Sequence, residues 1–270
     1  SSSRGIQTAV KDFVNKSVHD IYNESVEIPL LHTSTTQTTY TGDSEYTFPA
    51  DMRRVDFESF FLKPNELLTN GEFTSNITSW TTIAGSGSAA YNSGGNGRLR
   101  LNDYAAHQSF STVVNKTYKL QVRVLDSNGT GASLKVQVGT AAEGTQNLNT
   151  TVKVTDFNAG EILDVEFTAT AQTTFVTLNN TTTATNLDVD YVRISRSEIA
   201  TRKLSFVSYD DYMQRFKEQD SQNNSGHYGT PQYVYRKPDY TSFGLTPIPD
   251  KNDYLISYEY YQTHTDLSAH

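Results

Sequence analysis

The chain has 270 residues, a formal net charge of −8 and an isoelectric point near 5.2. Its basic residues form no run longer than Arg53-Arg54 or Arg202-Lys203, so the phosphate-neutralising stripe of a tight nucleic-acid binder is missing. The absence of cysteine excludes disulfides, thiolate metal sites and cysteine catalysis, and no window approaches the roughly 18 apolar residues of a membrane-spanning helix.

Two compositions alternate along the chain. All seven prolines lie outside residues 65–230, whereas eleven of the sixteen glycines lie between residues 71 and 160. The flanks hold thirteen of the seventeen tyrosines, and the middle is rich in Thr, Asn, Ser and Gly. This partition predicts a discontinuous domain of residues 1–65 and 197–270 with a second domain, residues 66–196, inserted into it.

The first flank opens with Ile6, Val10, Phe13, Ser17 and Ile21 at three- and four-residue spacing, which predicts an amphipathic helix ending near Glu24. Two short β-prone runs, TTQTTYT and SEYTF, surround the turn at Thr41-Gly42-Asp43-Ser44 and read as a hairpin. Val55, Phe57, Ser59 and Phe61 then alternate along a strand that Pro64 ends. In the second flank RKLSFVSY reads as a strand, and Ser208 opens a capping-box-like helix over YDDYMQRFKEQD. The polar loop SQNNSGHYG follows, then the strand QYVYR, an irregular loop from Pro238 to Pro249, and the strand YLISYEYYQ with Tyr254, Ile256, Tyr258 and Tyr260 on one face.

The middle segment is a series of short alternating runs, among them Tyr118, Leu120, Val122 and Val124, then Leu134, Val136 and Val138, then Leu163, Val165 and Phe167, then Val176 and Leu178. Turn signals such as Asp126-Ser127-Asn128-Gly129 separate them at intervals of about ten residues, the mark of an antiparallel sandwich.

The run LLTNGEFTSNITSW at residues 67–80 resembles the opening strand of carbohydrate-binding-module-like jelly rolls, and LDVDYVRIS at residues 187–195 resembles their closing strand. The resemblance covers about residues 66–196. It implies that Phe73 and Trp80 are core residues and leaves Tyr91 and Tyr104 as the aromatics open to stacking on a sugar. Such folds often hold a structural calcium between an opening Glu and an Asp of the closing strand. Here Thr74 replaces the Glu while Asp190 remains, so a structural calcium is the one cofactor left open and no other is expected.

The flanks resemble a different family. FPADMRRVDFESFFL, KLSFVSYDDYMQRF, TPQYVYR, PIPDKNDYLISYEYY and DLSAH are similar, in that order, to segments of the head-to-tail adaptor proteins of tailed bacteriophages, the tail tubular protein A group. The resemblance implies an α+β adaptor core, an N-terminal helix plus antiparallel strands, with the strand Arg54 to Leu62 paired to Arg202 to Tyr209. The all-β jelly roll is then an insertion in a hairpin connection, which loop-closure entropy tolerates because its cost grows only logarithmically with length.

The family's function follows as an expectation: a non-catalytic subunit of a closed ring, twelvefold by analogy, in the virion neck, assembled in the host cytoplasm. Its partners are identical subunits, the portal protein and the tail nozzle or tail tube protein, with double-stranded DNA passing through the lumen without specific binding and no membrane involved. Arg53, Arg54, Tyr209, Tyr212, Phe216, Tyr233 and Tyr235 are the candidate contact residues, since partly wet interfaces favour tyrosine and arginine. One compact aromatic core is the other reading of those rings.

The rival function is a carbohydrate-binding receptor or fibre-associated protein acting through the jelly roll. Enzymatic chemistry finds no foothold in the motifs. The six histidines lack metalloprotease spacing, Gly85-Ser86-Gly87-Ser88 is a Ser/Gly loop rather than a nucleophile elbow, and Asp188 and Asp190, two apart on one strand face, imply no cleft.

Overall fold

A computed structural model describes residues 2–24, 31–83, 87–95, 97–126, 132–154, 160–180, 182, 186–221 and 228–263. The turn at 127–129, the polar loop at 222–227, Gly85-Ser86 and the closing DLSAH lie outside the described residues. The chain divides into two compact units, unit 1 from Ser1–Lys63 and Ala200–His270 and unit 2 from Pro64–Ile199.

Helix α1 (Ser2–Glu24) opens unit 1 and is followed by β1 (His32–Thr38), β2 (Glu45–Thr47) and β3 (Met52–Pro64). Unit 2 comprises β4 (Thr81–Ile83), β5 (Ser88–Asn92), β6 (Arg98–Asn102), β7 (Ala105–Ser111), β8 (Thr117–Asp126), β9 (Ser133–Gly139), β10 (Leu148–Lys153), β11 (Glu161–Thr168), β12 (Thr173–Asn180) and β13 (Asn186–Arg196). Unit 1 resumes with β14 (Arg202–Lys203), β15 (Ser205–Val207), α2 (Tyr209–Arg215), α3 (Lys217–Ser221), β16 (Tyr233–Arg236), β17 (Ser242–Thr246) and β18 (Tyr254–Gln262).

Unit 1 has two four-stranded sheets, ordered β1-β18-β3-β14 and β15-β16-β17-β2. Rings fill the layer they bury. Phe60 stacks on Tyr258 at 4.6 Å and 3°, and Phe243 meets Phe60 and Phe48, each at 5.1 Å. Offset and edge-on ring contacts of this kind add to the area they remove from water.

Several expectations are corrected here. TTQTTYT and SEYTF do not form a hairpin, because β1 pairs with β18 and β2 with β17. The intervening turn is bonded elsewhere: Gly42, at φ +85°, donates its N–H to Pro249 O, and the Thr41 N–H goes to Asn252 Oδ1. The strand RKLSFVSY is split at buried Leu204. Only Arg202 and Lys203 pair with Leu62 and Phe61, and β15 then joins the other sheet parallel to β16, so the unit is not wholly antiparallel.

Along β3 the alternation of Val55 and Phe57 breaks at Ser59. Its hydroxyl donates to Asp56 O and accepts the Glu259 N–H, and beyond it Phe60 and Leu62 turn inward and Phe61 outward. The stretch Pro238 to Pro249 is not all loop, since β17 lies within it, buried throughout and paired on both sides. The helix after Ser208, whose hydroxyl accepts the Asp211 N–H, divides at Phe216 into α2 and α3.

Unit 2 consists of two five-stranded antiparallel sheets, β10-β9-β12-β7-β4 and β11-β8-β13-β6-β5. Inward residues at period two, including Leu120, Val122, Val136, Val138, Val176, Leu178, Val192 and Ile194, form one core between them. Phe73 and Trp80 belong to it, with ring centroids 5.5 Å apart, and Trp80 Nε1 donates to Asn70 O. Gln108 clamps the same stretch, accepting the Thr69 N–H and donating to Thr69 O and Ser79 O.

Gly244 on β17 carries a sharp packing demand. A Cβ there would stand 2.0 Å from Tyr235 Cζ, and that ring is held by Tyr212 stacked at 3.8 Å and 14°. Gly244→Ala is expected to destabilise the protein by about 1–3 kcal/mol through overpacking, read as a lower urea midpoint at unchanged slope. Wild-type stability in the variant would show that the ring can move aside.

Candidate functional site

The outer face of the β11-β8-β13-β6-β5 sheet is a lattice of paired charges. Asp188, 1% exposed, receives Arg100 Nε at 2.8 Å, Arg100 Nη2 at 2.9 Å and Asn92 Nδ2 at 2.8 Å, with Arg98 Nη1 at 3.8 Å. Asp190 accepts from Arg123 Nη1 at 3.0 Å and lies 3.9 Å from Arg98 Nε. The pairing register shifts between Val189 and Tyr191, yet both carboxylates stand on this outer face, where Arg98 reaches each of them. Guanidinium groups satisfy both carboxylates.

A calcium ion fits these residues poorly. Asp190 is engaged by arginine, and Thr74 offers no carboxylate and has its carbonyl on the Tyr91 hydroxyl. No cluster of three or more His, Cys, Asp or Glu able to hold a metal occurs among the described residues.

The opposite face, the outer side of the β10-β9-β12-β7-β4 sheet, is polar with an aromatic edge. Thr177 pairs with His107 on one side and Gln137 on the other, and Phe175 pairs with Ser109. The His107 and Phe175 rings meet edge-on at 5.8 Å. A segment running from Thr140 to Asn147 straps part of this face: the Glu143 N–H donates to Thr177 Oγ1 and Gln137 Nε2 donates to Glu143 O, both at 2.9 Å. The strap closes on itself at Gly139 and Gly144, where a Cβ on Gly139 would come within 2.7 Å of Gly144.

His107 Nδ1 is buried without a hydrogen-bond partner among the described residues. Burial holds its imidazole below the ordinary pKa, with the Glu143 carboxylate pulling the other way. What stands open beside the strap is the His107 and Phe175 ring edge and the Ser109 hydroxyl, since the Thr177 hydroxyl and the Gln137 amide are buried and bonded to the strap.

The sugar-stacking candidates are not brought together. Tyr91 is opposite Leu99 near the start of β6 and donates its hydroxyl to Thr74 O, while Tyr104 follows the end of β6 and its carbonyl accepts the Asn180 N–H. Phe175, His107 and Gln137 lie on the strapped face and were not singled out by the sequence reading. Their signal was legible, since each alternates with inward Val176, Ala106 or Val136, and period two sends it outward.

In unit 1 the candidate contact residues divide. Arg53 and Arg54 are exposed on β3. Tyr212 and Tyr235 are buried, stacked on each other, and reach no partner unless that layer opens. Tyr209, Phe216 and Tyr233 are half-buried, the last two packed at 5.1 Å beside a groove of about 240 Å³ with Gln219, Gln232 and Pro247. The apolar positions of α1 are exposed: Ile6 by 65%, Val10 by 56%, Phe13 by 72% and Ile21 by 59%. No described helix is long and apolar enough to cross a membrane.

Unit 2 is a jelly-roll β-sandwich. Solved structures similar to the chain are carbohydrate-binding domains. A CBM4 structure is 15% identical at TM-score 0.39, covering 48% of this chain and 99% of its own. A CBM61 in complex with β-1,4-galactotriose is 13% identical at TM-score 0.41, covering 49% and 99%. A putative sugar-binding protein from Bacteroides thetaiotaomicron is 10% identical at TM-score 0.41, covering 49% and 100%. At such identities and TM-scores no ligand, partner or activity passes from these proteins to this chain. No protein-family model and no curated protein matches it.

Two outcomes follow for unit 2. Asp188→Ala leaves Arg98 and Arg100, each about a third exposed, without their shared carboxylate and is expected to cost about 1–3 kcal/mol, measured by urea unfolding; wild-type stability would mean that the arginines find water instead. Because folded His107 takes up its proton at lower pH than the unfolded imidazole, its contribution is intact above about pH 6.5 and is lost as pH falls below that value. The thermal midpoint of wild type should therefore drop more between pH 7.5 and pH 5 than that of His107→Gln, and parallel curves would rule the histidine out.

Proposed function

We propose that this chain is a structural, non-catalytic assembly subunit of the head-to-tail adaptor kind, a ring component between portal and tail in a phage virion, carrying the sandwich as an inserted module. The observation that carries the reading is the bracket around the insertion. Leu62 and Phe61 at the end of β3 pair with Arg202 and Lys203, so the chain leaves unit 1 and re-enters it on neighbouring strands, and the adaptor-like segments on both sides meet in one compact unit. The acidic balance, −8 overall, suits a lumen through which DNA slides, since like charge repels phosphate.

The second reading is carbohydrate binding through unit 2, favoured by the strapped face where Phe175 and His107 adjoin the exposed Ser109 hydroxyl. In that reading Phe175 supplies the apolar contact to a sugar ring and its neighbours the hydrogen bonds.

Imaging of virions by cryo-electron microscopy separates the two. A ring of this chain directly beneath the portal is the expected result. Density confined to fibre tips, together with glycan-array binding that Phe175→Ala abolishes, would replace the adaptor reading with the second one.

A further inference from the structure

Helix α1 exposes its large apolar side chains. Ile6, Val10, Phe13, Val14 and Ile21 fall on one stripe about 100° wide, by the 100° per residue of an α-helix, and all are exposed, from 37% for Val14 to 72% for Phe13. Lys11, Asn15 and Val18 on another side of the helix are half-buried, as is Ser17 within the stripe. The large side chains of the stripe are therefore left open by the described residues of unit 1. A helix of 23 residues owes most of its stability in water to packing along its apolar face, so an open stripe of this kind calls for a partner.

We infer that the stripe is a self-association surface, completed by α1 of a second copy of this chain. Three features select that occupant. Ile6, Val10, Phe13 and Ser17 follow the 4-3-4 spacing of a helix-pairing seam. The seam has small Ser17 and large Phe13 within it, so a copy offers both knob and hole. The flanking charges Asp12, Lys16 and Asp20 alternate in sign at four-residue steps, so an identical helix set against this one can place Lys16 opposite Asp12 rather than meeting a wall of like charge.

A bilayer surface is the competing occupant for an amphipathic helix, and it favours an excess of Lys and Arg around the apolar face. Lys11 and Lys16 are balanced by Asp12 and Asp20. The proposal rests on the assembly-subunit reading only for the expectation that copies meet; the contact itself is argued from α1 and, as a pairing of like faces, joins two copies and is distinct from the head-to-tail contacts that close a ring.

The test is sedimentation equilibrium of the full chain over a concentration series, with circular dichroism as the control for folding. Wild type should associate reversibly, Val10→Asp with Phe13→Asp should weaken association at least tenfold, as loss of a central contact does, and the variant should keep the β-sheet spectrum. Lys16→Asp should weaken it too, and adding Asp12→Lys should restore it. A wild type that stays monomeric at the highest concentration, association unchanged in the apolar variant, or cosedimentation with phosphatidylserine vesicles that this variant loses would each overturn the proposal. Neck density in virions from a chain that is monomeric alone would remove this contact and leave the adaptor reading standing, whereas self-association of a chain absent from the neck would do the reverse.

Discussion

Burying one face of every strand against a second sheet is the constraint on which both units depend. With no cysteine and no metal cluster among the described residues, sheet pairing has to supply the stability by removing apolar surface from water. The two units satisfy it with different materials. Unit 2 uses mainly β-branched and leucine side chains at period two, with Phe73, Trp80, Phe110, Tyr118 and Phe167 among them, and unit 1 uses mostly rings, whose size lets two small four-stranded sheets enclose a core. Ring packing then dictates backbone details: Gly244 exists in that place because Tyr235 crosses its chain, and Tyr235 is held there by Tyr212.

Once the inner faces are committed to packing, function is left to the outer faces, the edges and α1. On unit 2 the two outer faces differ sharply. One is saturated by arginine–aspartate pairs around Asp188 and Asp190, whose desolvation is compensated locally and which offer no spare ligand for a cation. The other is only partly covered, and beside its strap lie an imidazole and a phenyl edge with the Ser109 hydroxyl. If the sandwich recognises anything, chemistry directs attention to this second face.

Unit 1 has the opposite economy. Its tyrosines, which composition alone makes equally good interface or core residues, are divided by the fold, with Tyr212 and Tyr235 inside and Tyr209, Phe216 and Tyr233 at the margin. Among the described residues the apolar side chains left outside include one stripe on α1 and the scattered Tyr40, Phe61, Phe206, Met213 and Tyr240; a contiguous stripe, unlike scattered side chains, marks a surface that a partner can cover.

The sequence by itself determined which segments become elements wherever the pattern is local. The helix from Ile6 to Ile21, the alternating runs of unit 2 and the cap at Ser208 follow from spacing and residue type, because neighbours three, four or two residues away decide them, whereas the burial of Phe73 and Trp80 was implied by the resemblance of LLTNGEFTSNITSW to a jelly-roll opening strand. Phe175 and His107 were readable on the same ground as outward positions, though not as neighbours. Only the tertiary structure decided the rest. Phe60 turns inward beyond a Ser59 hydroxyl bonded to Glu259, 200 residues away; β17 is a strand because β16 and β2 flank it; the turn at Gly42 carries the chain between sheets because Pro249 accepts its N–H. The outward face of α1 belongs here too, since periodicity identifies an apolar stripe but the contacts of the remaining chain decide whether it is covered. In each case the deciding partner lies far away in sequence, and no local pattern encodes it.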